Sequence, residues 1–209
     1  MIVIIDYDCG NLFSLVSSFR SIGADASVSS DPDVIRRADS LVLPGVGAFR
    51  DAAEKLAKTG IGDAVKSAAS AGTPLLGICL GMQMLFEKSF EYGEYEGLGL
   101  IPGEVVPMEG KIDPELKIPQ IGWNALDFAK ETLLFSRISN GDHVYFVHSY
   151  FASECDDYIT ATTEYSIPIT ASVQKDNVFG CQFHPEKSGD VGLNILKSFC
   201  DIGGIKRNL

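Results

Sequence analysis

Cys79 stands in the run Gly77-Ile78-Cys79-Leu80-Gly81, and an imidazole and a carboxylate stand two residues apart in His184-Pro185-Glu186. A thiol, a base and an acidic orienter are the parts of nucleophilic hydrolysis through a covalent intermediate. Glycines two residues to either side of the cysteine match the nucleophile elbow, with cysteine in the serine position. They let the backbone turn sharply and leave room beside the sulfur. The first position of a helix also favours an anion there. Pro185 biases His184 toward extended geometry, in which residues two apart face the same side, so His184 and Glu186 can point together. A carboxylate beside an imidazole fixes its tautomer and stabilises the imidazolium. The bland alternatives are a buried core cysteine, and a surface histidine at a strand end with Glu186 as a helix N-terminal acid. Each motif alone leaves its alternative open; the two together favour catalysis.

Pro44-Gly45-Val46-Gly47 is a weak dinucleotide fingerprint, because Arg50 occupies the place of the third glycine. It is a credible oxyanion loop, supplying a donor beside the Leu80 N–H of the elbow, or else a plain turn. By residue type alone, His148 reads as a satisfied core histidine, Trp123 as packing and Lys187 as an ordinary surface lysine. Asn11 reads as a cap of the first helix, and Gln83 faces either the site or solvent.

These residues need elements to hold them. Met1–Asp6 is an apolar run that reads as a central strand of a parallel sheet. Leu12, Leu15, Val16, Phe19 and Ile22 form a helical stripe stopped at Gly23. A strand over Ala26–Ser29, a short helix from Asp31-Pro32 and a strand over Ser40–Leu43 follow, then helices over Phe49–Ala57 and Gly62–Ala71. Leu75, Leu76 and Ile78 form the elbow strand, and Leu80, Met84, Leu85 and Glu87 continue at helical spacing. This alternation predicts a doubly wound α/β sheet with its site at the carboxyl ends of the strands. Beyond Lys88 the texture changes. Glu91–Pro102 reads as a loop. Glu104–Met108, Lys117–Ile121, Val144–Phe151, Tyr158–Thr163, Ile169–Gln174 and Val178–Phe183 read as strands, the last two as a hairpin, with a helical turn or two near Leu133–Ile138. A helix striped by Val191, Leu193, Ile195, Leu196 and Phe199 closes the chain. One domain over residues 1–209 is expected, an antiparallel half added to a parallel half.

The chain has 209 residues, enough to bury a sizeable core. Its net charge of −11 argues against a nucleic-acid surface. No stretch approaches a membrane span and Met1-Ile-Val-Ile-Ile has no basic leader. Cys9, Cys79, Cys155, Cys181 and Cys200 are odd in number and form no C-x-x-C, so neither a disulfide framework nor a zinc site is expected. A reduced cytoplasm is the implied setting, and the residues call for no cofactor or metal.

GICLGMQ, VFGCQFHPEKS and the HSY at 148–150 resemble the class I (triad) glutamine amidotransferases. PGVGAF, IGWN and VYFVHSY resemble one branch, the glutaminase subunits of imidazole glycerol phosphate synthases. The resemblance covers essentially the whole chain. It implies that Cys79 attacks the glutamine amide to form a glutamyl thioester, with His184 shuttling protons and Glu186 orienting it. It implies that Gln83, Glu91, Ser149 and Tyr150 hold the substrate, and that the Gly45-Val46-Gly47 strand and Leu80 supply the oxyanion donors. It implies a (βα)₈-barrel cyclase partner that receives ammonia and forms imidazole glycerol phosphate and AICAR, with Asn11, Trp123, Tyr145 and Lys187 at the interface. The competing readings are another amidotransferase subunit of the class, such as that of pyridoxal phosphate synthase, a free-standing γ-glutamyl hydrolase or peptidase, and a non-catalytic partner. Activity without a partner would mark the hydrolase, and activity indifferent to Cys79→Ser would mark the non-catalytic protein.

Overall fold

In chain order the elements are β1 (Ile2–Ile5), α1 (Leu12–Ser21), β2 (Ala26–Ser29), α2 (Pro32–Arg36), β3 (Ser40–Leu43), α3 (Phe49–Thr59), α4 (Ile61–Ser70), β4 (Leu75–Ile78) and α5 (Leu80–Gln83). Then come β5 (Lys88–Ser89), β6 (Tyr95–Glu96), β7 (Glu104–Pro107), β8 (Gln120–Ala125), β9 (Asp127–Phe128), β10 (His143–His148) and β11 (Tyr150–Ser153). The last are β12 (Ile159–Glu164), β13 (Pro168–Lys175), β14 (Val178–Cys181) and α6 (Gly189–Ile202). This computed structural model describes residues 1–207.

Eight strands form one sheet in the order β2-β1-β3-β4-β14-β13-β12-β9. The first five run parallel and the rest antiparallel. The second half of the chain thus extends the sheet begun by the first. Alternation along β1 sends Val3 and Ile5 into one core and Ile2 and Ile4 into another on the opposite face. The first core packs the sheet against α2, α3 and α4; the second packs it against α1 and α6. Parallel strands covered on both faces have no polar side, which is why β1, β3 and β4 read as unbroken apolar runs. Among the described residues no helix is long and apolar enough to cross a membrane.

Four expectations need correction. The elbow helix is a single turn, α5, and does not continue through Glu87. The carbonyls of Met84, Leu85, Phe86 and Glu87 accept instead from N–H groups of Gly97–Ile101, a pairing that competes with the helical one. That pairing also organises the expected Glu91–Pro102 loop, which contains β6 paired with β5. The strand expected over Lys117–Ile121 runs over Gln120–Ala125, since Pro119 has no N–H to give a ladder. The single strand expected over Val144–Phe151 is two: β10 pairs with β8, β11 pairs with β7, and the chain changes sheets at Ser149.

Candidate active site

The elbow is built by close approach. Cys79 has φ 54° and ψ −112°, a left-handed conformation unusual for a side-chain-bearing residue and characteristic of strained functional turns. Its N–H donates to the Cys181 carbonyl at 2.8 Å, and its carbonyl accepts from Gln83 N–H at 3.1 Å. A Cβ on Gly81 would lie 1.8 Å from the Leu43 carbonyl oxygen, so only glycine lets the elbow pack on β3. A Cβ on Gly45 would lie 2.7 Å from the Tyr7 hydroxyl and 2.9 Å from Gly81 N. The Pro44–Gly47 loop therefore lies directly against the elbow, pinned by the Tyr7 hydroxyl donating to the Pro44 carbonyl at 2.6 Å.

Strand β14 ends beside β4 and delivers His184 next to Cys79. His184 is extended, but Glu186 lies in a 3₁₀ turn over Pro185–Lys187, not in an extended run. The turn still brings Glu186 Oε1 to 2.8 Å from His184 Nδ1, with both side chains buried. Burial opposes a charge on the ring. Negative charge on the Cys79 sulfur and on the Glu186 carboxylate outweighs it and raises the His184 pKa to about 9. No well-formed hydrogen bond joins Nε2 to Sγ, and Nε2 has no other partner; such pairs often tighten only in the substrate complex. At neutral pH the ring is therefore an imidazolium facing sulfur, able to stabilise a thiolate and then to donate a proton.

A cleft of about 350 Å³ opens in front of this pair. Val46, Gly47, Leu80, Gln83, Glu91, Ser149 and Tyr150 line it together with Cys79 and His184. Gly45 lies behind the wall and Glu186 behind His184. Leu80 opens α5, so its N–H has no intrahelical acceptor and is free for an oxyanion. Glu91 sits at the start of α3, where its Oε2 accepts from Phe49 N–H. Burial pushes the Glu91 carboxyl up, that hydrogen bond opposes the rise, and Asp51 adds to it. Oε1 remains for a cationic group in the cleft.

His148 lines the cleft and is buried, with Nδ1 2.9 Å from the Tyr150 carbonyl and Nε2 3.0 Å from the Gln120 side chain. Burial lowers its pKa to about 4, so it is neutral, with the Nδ1 proton donated to Tyr150. The Gln120 amide must then turn its NH₂ toward Nε2. Asn11 caps α1, accepting from Ser14 N–H. It lies outside the cleft, as do Trp123, Tyr145 and Lys187. Trp123 is not packed in the core, as its residue type suggested, but is 52 % exposed on β8. Its ring meets Tyr145 edge-on at 6.1 Å, and Lys187 Nζ lies 5.8 Å from the Tyr145 ring centre.

Two contributors escaped the sequence reading. Tyr7 closes the back of the Pro44–Gly47 loop; it stands between Asp6 and Asp8 at the start of a loop, and nothing local to it signals a hydroxyl contact with Pro44. Gln182 lies buried beside Cys79, and its spacing of two from His184 was an available signal. Among the described residues, no group of three or more His, Cys, Asp or Glu could hold a metal ion.

Residues 3–201 match the family described as glutamine amidotransferase class-I. This chain belongs to that family. Within it, the "Imidazole glycerol phosphate synthase subunit HisH" of Caldanaerobacter subterraneus subsp. tengcongensis is 52% identical over 201 residues, 95% of this chain and 97% of the relative. The subunit of the same name from Lactococcus lactis subsp. lactis is 50% identical over 96% of this chain and 98% of its own. This amidotransferase is therefore an enzyme of the HisH branch. Solved structures share its fold. One titled "Crystal structure of glutamine amidotransferase" superposes with TM-score 0.76 at 17% identity, covering 98% of this chain and 100% of its own. "Structure of PurLQS from Thermotoga maritima" superposes with TM-score 0.75 at 19% identity, covering 96% and 97%.

The histidine shift sets a pH dependence in the amidotransferase. If the imidazolium is the acid that releases ammonia, glutamine hydrolysis falls as pH rises through about 9. Glu186→Gln removes a charge that raises the ring, so the alkaline limb should move down by about one unit or more. A kcat/KM profile from pH 6 to 10 on both proteins checks this. Superimposable limbs would show that Glu186 does not hold the proton.

Proposed function

We propose that this chain is the glutaminase subunit of an imidazole glycerol phosphate synthase, acting as a single amidotransferase domain. The observation that carries the proposal is a thiol on a strained elbow, facing a buried imidazolium–carboxylate pair, at the floor of a cleft with a carboxylate on its wall. Glutamine enters with its ammonium group toward Glu91 Oε1 and its amide toward Cys79. The thiolate attacks the amide carbon, and the oxyanion takes the Leu80 N–H and a donor from Val46 or Gly47. His184 gives its proton to the leaving nitrogen, ammonia departs and a γ-glutamyl thioester remains. Water then attacks as neutral His184 takes its proton, and glutamate and the thiolate are restored.

The partner is a separate (βα)₈-barrel cyclase that takes ammonia and forms imidazole glycerol phosphate and AICAR. The β8–β10 ribbon supports this. Its outward face pairs Trp123 with Tyr145 and Ile121 with Val147, and Ile121 is 61 % exposed. Val147 and Pro119 carry that apolar face to the cleft itself. A partner seated over Ile121, Trp123, Tyr145 and Lys187 would cover the mouth and exclude water. Asn11, with α1 beside the Pro185–Lys187 turn, lies next to this surface. The reading places the enzyme in the cytoplasm, where free cysteines such as Cys79 stay reduced.

The test is glutamate release from glutamine by the chain alone and with a cyclase barrel loaded with its nucleotide. One oxyanion donor is worth about a hundred- to a thousandfold in rate, so if the loaded partner brings the Val46 or Gly47 donor into line, glutamate release rises at least a hundredfold. Steady hydrolysis indifferent to the barrel would assign the chain to another amidotransferase or to a free-standing hydrolase.

A further inference from the structure

We propose that the Gln182 amide donates a hydrogen bond to the Cys79 sulfur, holding the nucleophile as an anion, with its polarity dictated by the Tyr150 carbonyl. The proposal rests on Cys79 being the nucleophile. Gln182 is fully buried just past β14, and its backbone N–H is spent on the Ala171 carbonyl. A buried amide must find partners for both ends of its side chain. The Tyr150 carbonyl can only accept, so the Gln83 atom 3.1 Å from it is Nε2. That nitrogen also lies 2.9 Å from the Gln182 side chain, where the facing atom must be Oε1. The remaining Gln182 atom, 3.7 Å from Cys79 Sγ, is then Nε2 with its hydrogens. Reversing either amide would set oxygen against oxygen or nitrogen against nitrogen. His148 Nδ1 donates to the same Tyr150 oxygen, which locks the start of the chain from a second side.

The sulfur otherwise faces the Val147 carbonyl at 3.9 Å, which accepts from a thiol but repels a thiolate. The amide donor offsets that repulsion and fixes the direction of the sulfur lone pairs. The titratable groups around the sulfur are His184 with Glu186 behind it, Cys181 on β14 and Tyr7 at the end of β1. His148 lies within reach of His184, and Glu91 stands on the cleft wall. Of these, His184 alone is a cation, so the amide acts beside a single positive charge. The relay also joins the sulfur to the backbone at Tyr150, on the cleft wall where β10 gives way to β11.

The experiment is the rate of Cys79 alkylation by iodoacetamide on the full chain, followed by peptide mass, at pH 6 and pH 10. Gln182→Leu keeps the volume and removes the donor. It should slow labelling about tenfold at pH 6, the value of one hydrogen bond to a charged group. At pH 10 the variant should match or slightly exceed the parent, because a thiolate that has lost a hydrogen-bond donor is the more nucleophilic one. Gln182→Glu keeps the acceptor for Gln83 but turns an anionic oxygen on the sulfur, and should slow labelling at pH 6 further. If leucine impairs folding, Gln182→Met, unbranched and without a donor, should give the same pair of rates. Equal rates at pH 6, or an equal loss at both pH values, overturns the proposal, since a merely structural role would not vanish with pH. If Cys79 of the unsubstituted chain is not labelled at all, the nucleophile assignment itself falls.

Discussion

Cys79→Ala should abolish glutamine hydrolysis, lowering it by about 10⁴-fold or more in the presence of a loaded cyclase, while glutamine still binds. Removal of a covalent nucleophile leaves only the rate owed to binding and to the oxyanion donors. Binding should survive because the groups that line the cleft do not depend on the sulfur. Glu91 is held by Phe49 N–H, and Gln83 by the Tyr150 carbonyl. Alanine keeps the Cβ, so the elbow is no more strained than before. Glutamate release and calorimetric titration with glutamine check both halves. Cys79→Ser should be nearly as inactive, which separates this site from a serine hydrolase. A serine hydroxyl needs a neutral imidazole to take its proton during attack. With Cys79 in place, the sulfur and Glu186 raise the His184 pKa to about 9, and once the sulfur is gone Glu186 still favours the protonated ring, which cannot act as that base. A serine variant active at neutral pH would refute the thiolate–imidazolium account.

The largest stability effect should come from a single methyl group. Gly81→Ala places a Cβ 1.8 Å from the Leu43 carbonyl oxygen, and both groups are backbone, so neither can swing aside. Either α5 or β3 must move, and β3 is paired on both edges, with β1 and β4. Overpacking of a rigid contact costs about 3 kcal/mol or more, which for a domain of this size lowers Tm by about 6–12 °C. Gly60→Ala is the control. Gly60 has φ 72° but no neighbour within 4 Å of a Cβ, so it carries only the left-handed penalty of about 1–2 kcal/mol. Thermal unfolding of the two variants ranks them. If Gly60→Ala were the more destabilising, the elbow would not be packed as tightly as its geometry requires. Activity should fall in Gly81→Ala even where the chain stays folded, because Leu80 N–H and the Gly45 wall both rest on this contact.

Much of this was legible in the chain. The apolar runs of β1, β3 and β4 and the stripe of α1 announced a doubly wound sheet, since a strand's period and a helix's period are set by neighbours a few residues away. The Gly77-Ile78-Cys79-Leu80-Gly81 run announced an elbow for the same reason, as did His184-Pro185-Glu186 a paired imidazole and carboxylate. Even there the local argument was incomplete. His184 and Glu186 meet through a 3₁₀ turn, because Pro185 permits a helical start after an extended residue.

The sequence by itself determined the order of strands and helices as far as β4, the backbone turn at Cys79 and the pairing of His184 with Glu186. Only the tertiary structure decided where α5 stops, because the carbonyls that would extend it accept from a segment beyond β6. It alone separated β10 from β11, turned Trp123 outward beside Tyr145, set Glu91 at the start of α3, and joined Tyr150, Gln83, Gln182 and Cys79 in one hydrogen-bonded chain. These contacts join residues far apart in the chain. They depend on which strands become neighbours in the folded sheets, and no pattern of a few consecutive residues encodes that order.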